Sequence, residues 1–554
     1  MAGPVGSVET EVAIVGGGPV GLCLAVELGA RGVPCAVLER SERGAPAFPT
    51  ANHIGVRSME HLRRLGLAGE VADAFRPRWG GERGGDWVAV CFLGGPEVAR
   101  VEDALAGSRP RSDSPEREVW APKPCFDPVL ARAAEAAPGV RILHGLRVTS
   151  AETQEGRVRG RARDADGGEV DIDAAWLVAC DGAGSTVRRA CGIEQVGPPP
   201  LPVVVHSAFF RSRRLADLAP EGGVQVSILG TPEGPTPTPF GAGLMVSVDG
   251  HDLWRLHGPG LDADDPAKSR ARLRELGADD AEILAMSAWT PAQALSTRYR
   301  SGRIFLAGDA AHAVTPFGGL GVNTGMADAF DLGWKLAATR EGWGGPRLLG
   351  ESYAYERRLA ALDLLRYQGV VFQGDDAVRL GPPLPLYTPP DASLWAPGSD
   401  GDAARRAYGE GLVASRGDEY EKPAIDLGYR YDGSPIVCDD GSPAPDRSDA
   451  RVYRQTARPG GRAPHVALGK GRSTLDLFGA GFTLLRTDAA VDVGPLEDAA
   501  RRVGLPLRVE TVPEAADAYE RALTLVRPDG FVAWRGAAPP ADAAAVVDRV
   551  RGAG

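Results

Sequence analysis

The chain of 554 residues has only seven cysteines, and no two of them form a Cys-x-x-Cys pair. Cys23, Cys35, Cys91, Cys125, Cys180, Cys191 and Cys438 are scattered, which argues against a zinc site or a disulfide framework. They read as buried free thiols in a reducing cytosol. No apolar run reaches the roughly 18 residues that a membrane-spanning helix needs. The opening MAGPVGSVET has neither a basic region nor an apolar core, so no secretory signal is expected. Basic residues are not in excess. Lys and Arg number 62 against 73 Asp and Glu, a net charge of −11, and nucleic acid is not an expected partner. No internal repeat is present. These absences leave a cytoplasmic globular protein, too long for a single hydrophobic core and expected to hold roughly two to four domains.

What the sequence does have is glycine at particular spacings. Residues 11–15, EVAIV, read as a buried parallel strand. GGGPVG follows, giving Gly16-x-Gly18-x-x-Gly21, then a helix from Pro19 to about Arg31 and a second strand at 34–38 ending in Glu39. In such a unit the first glycine permits the tight turn and the second lets a pyrophosphate touch the backbone. The third lets helix pack on strand, and the phosphates sit at the positive helix N-terminus. Glu39 can accept hydrogen bonds from a ribose, and the adjoining Arg40 is assigned to the same site.

Three further stretches stand out. In TANHIGVRSMEHLRRLGL, residues 50–67, Arg57 opens a helix striped by Met59, Leu62 and Leu65. Arg57 is either a solvated charge or a contact to a cofactor's phosphates or ribityl chain. WLVACDGAGSTVRRAC, residues 176–191, is a strand running into Asp181-Gly182 and then a helix start with Ser185 and Arg188. The strand RIFLA, residues 303–307, places Asp309 just past its carboxyl end, where ligands bind open α/β sheets. Gly318 to Gly321 would let the backbone lie against a flat ring. A helix starting near Asn323 carries Met326, Phe330, Leu332 and Leu336 inward. Its N-terminus stabilises negative charge. Reduced flavin is an anion, so this stretch suits an isoalloxazine, while Gly16 to Gly21 suit the ADP half of FAD.

Taken in order, GGGPVG, DGAGSTVR and GDAAHAVTPFGGLGVNTGMADAFDLGWKLA resemble the class A flavoprotein monooxygenases, aromatic hydroxylases with the p-hydroxybenzoate hydroxylase fold. The resemblance implies an α/β protein with a Rossmann-like FAD-binding domain at 1–75, 111–190 and 296–375. A β-sheet substrate domain is inserted at 76–110 and 191–295. It implies noncovalent FAD held by Gly16, Gly18, Pro19, Gly21, Glu39, Arg40 and Arg57, with Asp181 and Arg188 on a motif serving both FAD and NAD(P)H. Asp309 would hold the ribityl chain, Pro316 and Gly318 would line the ring, and Gly321, Val322 and Asn323 would meet its pyrimidine edge. No metal is implied.

Two departures from the family pattern bear on function. Pro49-Thr50-Ala51 lacks a cation common at its centre, and Lys123 stands where a glutamine is usual and is assigned to compensate. The 50–67 block looks most like the phenol and chlorophenol hydroxylase branch, some of which use an acid at the position of Asn52. Asn52 cannot take a proton, so His53 is the candidate base, with Asn52 and Pro316 completing the catalytic set.

The tail segments 457–488 and 525–536 resemble the thioredoxin-like domain of long family members, placed here at 441–554. No cysteine follows Cys438, which excludes thioredoxin chemistry and leaves a structural or dimer-contact role, in a monomer or homodimer. Residues 376–440, rich in Pro, Gly and Asp, read as an irregular connector. PVVVHSAFFRS and GLMVSVD alternate like an antiparallel sheet with one face on a pocket, and His206, Phe210, Met245 and Trp289 are candidates for that face or for plain core.

One dinucleotide fingerprint fits transient nicotinamide binding. The implied activity is NAD(P)H- and O2-dependent hydroxylation of a small phenolic or aromatic polyketide-type substrate through a flavin C4a-hydroperoxide. Baeyer–Villiger insertion or epoxidation on the same fold is an alternative, although the signatures FxGxxxHxxxW and WxWxIP, the latter of flavin halogenases, are absent. An alternative of another class is a non-catalytic flavin-binding interaction protein.

Overall fold

A computed structural model describes residues 6–45, 47–78, 85–106, 111–238, 241–373, 376–379 and 388–554. Parts of the expected substrate segment 76–110 and of the connector therefore lie outside the described residues.

The expected parallel strands form the centre of an eight-stranded sheet, ordered Ile304–Leu306, Glu169–Ala179, Ser7–Val15, Cys35–Glu39, Val140–His144. All four of these pairings are parallel. The apolar run in Ser7–Val15 follows from this central place: a parallel strand covered on both faces has no polar side to present. Helices Pro19–Ala30 and Gly321–Glu341 pack against each other over this sheet. Met326, Phe330, Leu332 and Leu336 are each at most 1 % exposed, as the sequence pattern required. The strand order matters for function. It sets the carboxyl ends of Ser7–Val15, Glu169–Ala179 and Ile304–Leu306 side by side, so Gly16, Asp181 and Asp309 gather at one rim of the sheet.

The substrate segments build a seven-stranded sheet, ordered Glu282–Trp289, Val205–Arg211, Leu253–His257, Gly243–Ser247, Gly223–Ile228, Gly85–Val90, Glu97–Ala106. It is antiparallel except where Gly223–Ile228 meets Gly85–Val90. One face, with Ala208, Phe210, Met245 and Leu256, closes into a core with Leu215 and Leu273 from two covering helices. The other face turns to the FAD-binding domain: Phe209 meets Phe48 edge-on with centroids 6.2 Å apart, and Trp120 Nε1 donates to the Ser247 carbonyl at 3.1 Å. Phe210 and Met245 are thus core residues of the helix-covered face, and not pocket residues. His206 shares their parity, and its Nδ1 accepts the Ala263 N–H at 3.0 Å. Of the four candidates only Trp289, opposite Val205, lies on the face toward the FAD-binding domain.

The connector is not irregular. Gly398–Tyr420 is a helix of 23 residues, and its Leu412 joins Val98 and Ala99 in a core beneath the substrate sheet. Glycine misled the reading here. A Cβ on Gly409 would stand 2.1 Å from the Val98 carbonyl, so this glycine lets the helix approach a strand rather than breaking the chain.

The C-terminal domain is a four-stranded sheet, ordered Leu507–Thr511, Phe482–Arg486, Leu523–Val526, Val532–Gly536, with helices Gly494–Arg502 and Ala543–Val550. This is the thioredoxin-like pattern the sequence suggested. A buried ionic cluster joins it to the FAD-binding domain: Arg527 pairs with Glu356, Asp331 and Asp529, and Lys335 pairs with Asp331 and Glu356.

Candidate functional site

The three glycines of the first motif have different reasons to be glycine. Gly16 has φ +107°, and a Cβ there would lie 2.4 Å from the Cys180 carbonyl oxygen. A Cβ on Gly21 would lie 2.0 Å from the Gly16 carbonyl oxygen. Both are dictated by the chain's own packing. Gly18 has nothing within 4 Å of its Cβ direction, so only something from outside the chain requires it to be bare. Pro19 takes the first helical position, where its missing N–H costs nothing. Gly18 caps the helix without a side chain, leaving the first-turn N–H groups for an anion.

Glu39 sits where expected, at the end of its strand. Its Oε2 accepts the Gly17 N–H at 2.6 Å and Oε1 accepts the Ser41 N–H at 2.8 Å. Although burial opposes it, these bonds bring the carboxyl below its ordinary value. Glu39 therefore clamps the glycine loop and keeps further lone pairs for a ribose. Arg40 is exposed beside it.

Asp181 and Arg188 brace the rim. Asp181 Oδ2 accepts the N–H groups of Thr186 and Val187, at 2.8 and 3.3 Å, and so caps the short helix Thr186–Ala190. Its buried Oδ1 has no partner. Arg188 donates to the Ala183 carbonyl at 3.0 Å and the Ala310 carbonyl at 3.4 Å, tying the second motif to the third.

Asp309 lies on the tight turn Gly308–Ala310. Its side chain is open to solvent but ringed by protein, and that crowding raises its pKa above the ordinary carboxylate value. No described residue donates a hydrogen bond to it. Beneath it runs a buried chain absent from the expectations. Asp328 Oδ2 takes His312 Nε2 and the Gly308 N–H, both at 2.8 Å, and Asp328 Oδ1 takes Arg357 Nε at 2.7 Å. The histidine and aspartate both lie inside the third motif, which was the available signal. Arg357 comes from a separate helix and had none.

Pro316 is exposed, and Gly318 and Gly319 follow with φ of +77° and +64°, two successive left-handed residues that favour glycine. The helix begins at Gly321, two residues before the expected start, so the N–H groups of Gly321, Val322 and Asn323 lead its first turn. The side chain of Asn323 does not face outward as expected. Its Oδ1 accepts from the Gly55 N–H at 2.8 Å and Ser58 Oγ at 2.7 Å, and its Nδ2 donates to the carbonyls of His53 and Gly319 at 3.1 and 2.8 Å. Asn323 is filled internally and offers a ligand only its backbone N–H.

Arg57 is likewise committed elsewhere. It donates to Glu60 at 2.8 Å and to the Asp529 carbonyl at 2.6 Å, and lies over the Phe531 ring, holding the C-terminal domain rather than reaching the rim. Lys123 pairs with Asp127, which occupies the charge expected to compensate at residue 50.

Asn52 and His53 lie beside this turn. The Asn52 Oδ1 and His53 Nδ1 atoms are buried and have no partner, and a Cβ on Gly319 would stand 3.2 Å from that Nδ1. Burial, helped by the Lys422 ammonium, drives the His53 pKa down to about 3. The imidazole is therefore neutral at pH 7, and burial disfavours its protonated form, which speaks against the expected general base.

A bare loop at a helix N-terminus, a carboxylate with no donor among the described residues, and a double-glycine turn at a second helix N-terminus together fit FAD, and they define the class as a flavin-binding oxidoreductase. The chain belongs to the FAD-dependent aromatic-ring hydroxylases. Residues 9–368 match the FAD binding domain family, and residues 456–553 match the aromatic-ring hydroxylase C-terminal family. It is 31 % identical to FAD-dependent monooxygenase apdD of Emericella nidulans, over 95 % of this chain and 87 % of that one. It is also 31 % identical to aklavinone 12-hydroxylase RdmE of Streptomyces purpurascens, over 98 % of both chains. The rebeccamycin biosynthetic enzyme RebC with reduced flavin superposes with a TM-score of 0.82 at 35 % identity, over 99 % of this chain and 100 % of that one. The protein is a flavoprotein monooxygenase, and its cofactor is FAD.

Proposed function

We propose that this enzyme uses NAD(P)H and O2 to hydroxylate a small phenolic or aromatic polyketide-type molecule. The observation that carries the reading is the buried, unpartnered acceptor Asn52 Oδ1, beside the neutral His53 imidazole at the edge of the double-glycine turn. A buried acceptor left unpaired costs free energy, and a phenolic O–H is a donor that would satisfy it. The similarity to an aklavinone hydroxylase supports a polycyclic phenol.

Bound FAD supplies hydride acceptance and oxygen activation. The chain's own residues hold, orient and shield. The first-turn N–H groups behind Gly18 and Pro19 take the pyrophosphate, Glu39 and Arg40 take the adenosine ribose, and Asp309 takes the ribityl hydroxyls. The N–H groups of Gly321, Val322 and Asn323 stabilise negative charge at the pyrimidine edge. Pro316 and Gly318 line the ring, Asp181 and Arg188 fix the rim, and Asn52 and His53 orient the substrate hydroxyl without deprotonating it. Arg57 and Lys123 serve the architecture around this site. The enzyme works in the cytosol, where NAD(P)H is available and its seven free cysteines stay reduced, as a monomer or homodimer. Among the described residues no helix is long and apolar enough to cross a membrane.

The test is NAD(P)H oxidation by the purified yellow protein against a panel of phenols and hydroxyquinones, with mass and NMR analysis of products. Stimulated oxidation and a product one oxygen atom heavier on a ring carbon are expected. No stimulation by any member, or oxygen inserted into a C–C bond, would overturn the reading.

A further inference from the structure

On the sheet face that turns to the FAD-binding domain lies a buried guanidinium with no counter-ion among the described residues. Arg255, in the strand Leu253–His257, is 8 % exposed. Its Nε is sealed from solvent without a partner, and none of its N–H groups bonds to a described residue. Burial alone pulls its pKa down to about 9, and no described carboxylate opposes the fall. Three other deeply buried arginines differ: Arg357, Arg462 and Arg527 each face an acid.

The register fixes where this group points. Arg255 is paired laterally with Phe209 and Val246, so all three share one face, and Phe209 is the residue that meets Phe48 of the FAD-binding domain. The same face carries Gln225, Leu244, His257, Ser287 and Trp289, all only half-buried, whereas Ala208, Phe210, Met245 and Leu256 on the opposite face are closed. Half-open residues on an interior sheet face are where a ligand would lie against the sheet. His257, two residues on, is held by Ser207 Oγ at 2.5 Å from its Nδ1. Burial, reinforced by Arg255, keeps that imidazole neutral, so it adds no competing charge.

We propose that Arg255 is an anion anchor of the substrate site and that the substrate is an aromatic molecule bearing a carboxylate. An unpaired buried cation is unfavourable, and a guanidinium's planar fork matches a carboxylate through two parallel hydrogen bonds. Phe209 and Leu244, near it on that face, offer apolar surface for a ring system alongside the fork. The inference rests on the oxygenase reading only for the word substrate; the anion site itself is a property of the sheet.

The experiment measures binding without turnover. The FAD-loaded enzyme is titrated with 6-hydroxy-2-naphthoate and with the neutral 6-hydroxy-2-naphthamide, following the flavin absorbance, for wild type, Arg255→Gln, Arg255→Lys and Arg255→Met. The carboxylate should bind wild type at least about tenfold tighter than the amide, one charge-assisted contact's worth. Arg255→Gln and Arg255→Met should bring that ratio to about one, and Arg255→Lys should restore part of it. Because a buried unpaired charge is removed, Arg255→Met should melt no lower than wild type. The proposal is overturned if wild type shows no preference or no binding up to the naphthoate's solubility, if Arg255→Gln keeps the ratio, or if Arg255→Met melts several degrees lower. Loss of substrate-stimulated NAD(P)H oxidation with the ratio intact would instead count against the oxygenase reading alone.

Discussion

Arg527 donates to both carboxylate oxygens of Glu356, at 2.6 and 2.9 Å, across the join between the thioredoxin-like domain and the FAD-binding domain. The same guanidinium serves Asp331 on the helix Gly321–Glu341, which follows the double-glycine turn. Arg527→Met leaves three buried acids with Lys335 as their remaining cation, and the loss should be about 3–5 kcal/mol. Urea unfolding followed by flavin release and by circular dichroism checks this. An unchanged midpoint would mean that the cluster does not hold the domains together.

Acid stability should depend on Glu60. Its carboxyl accepts from Arg57, Arg462 and Ser114, and the nearby guanidinium groups outweigh burial and hold its pKa at about 2. The folded value lies below the unfolded one of about 4.3, so the stabilisation is full above about pH 5 and is lost as pH falls toward about 2. Over that window the contribution is about 3 kcal/mol. Glu60→Gln should lower stability at pH 7 and flatten the decline between pH 5 and 3. An equally steep decline in the variant would assign acid sensitivity to other groups.

The two glycines of the first loop should separate folding from binding. Gly18→Ala meets open space and should fold normally while its methyl group obstructs the dinucleotide, lowering FAD affinity about tenfold or more. Gly16→Ala must push aside the Cys180 carbonyl and should reduce soluble yield and melting temperature. Equal FAD affinity in Gly18→Ala and wild type would place the cofactor elsewhere.

Asp309→Ala removes an unpaired carboxylate that should accept ribityl hydroxyls. Its loss should cost about 1.5–3 kcal/mol of FAD affinity, roughly ten- to hundredfold, with the apoprotein's melting temperature unchanged. Equilibrium dialysis of FAD provides the number, and undiminished retention would take Asp309 out of the site.

His53 should act as an acceptor and never as a titrating base. No ionisation between pH 5 and 8 in kcat/KM should vanish on His53→Gln, which keeps an acceptor near the same place. His53→Leu should raise KM about tenfold and release more hydrogen peroxide, having lost the hydrogen bond to the substrate. A profile whose inflection near pH 6.5 disappears in His53→Gln would restore His53 as the base.

The sequence by itself determined the family, the cofactor and the rim of the sheet at which the glycine motifs and Asp309 gather. Gly16, Gly21, Asp309 and Gly318 could be read because each answers a local demand: a left-handed turn, a close approach, or an acid at a strand's end. Such demands lie within a few residues of chain and leave a pattern at fixed spacing. Tertiary structure alone decided what register and packing decide. It used up Asn323 and Arg57 in internal contacts, and turned Phe210 and Met245 toward the covering helices. It neutralised His53 by burial, and it made a long helix of Gly398–Tyr420, whose Gly409 serves a strand more than 300 residues away in sequence. Arg255 is the clearest case. In sequence it is one of many arginines, and only the strand pairing that buries it opposite Phe209, with no described acid within reach, sets it apart.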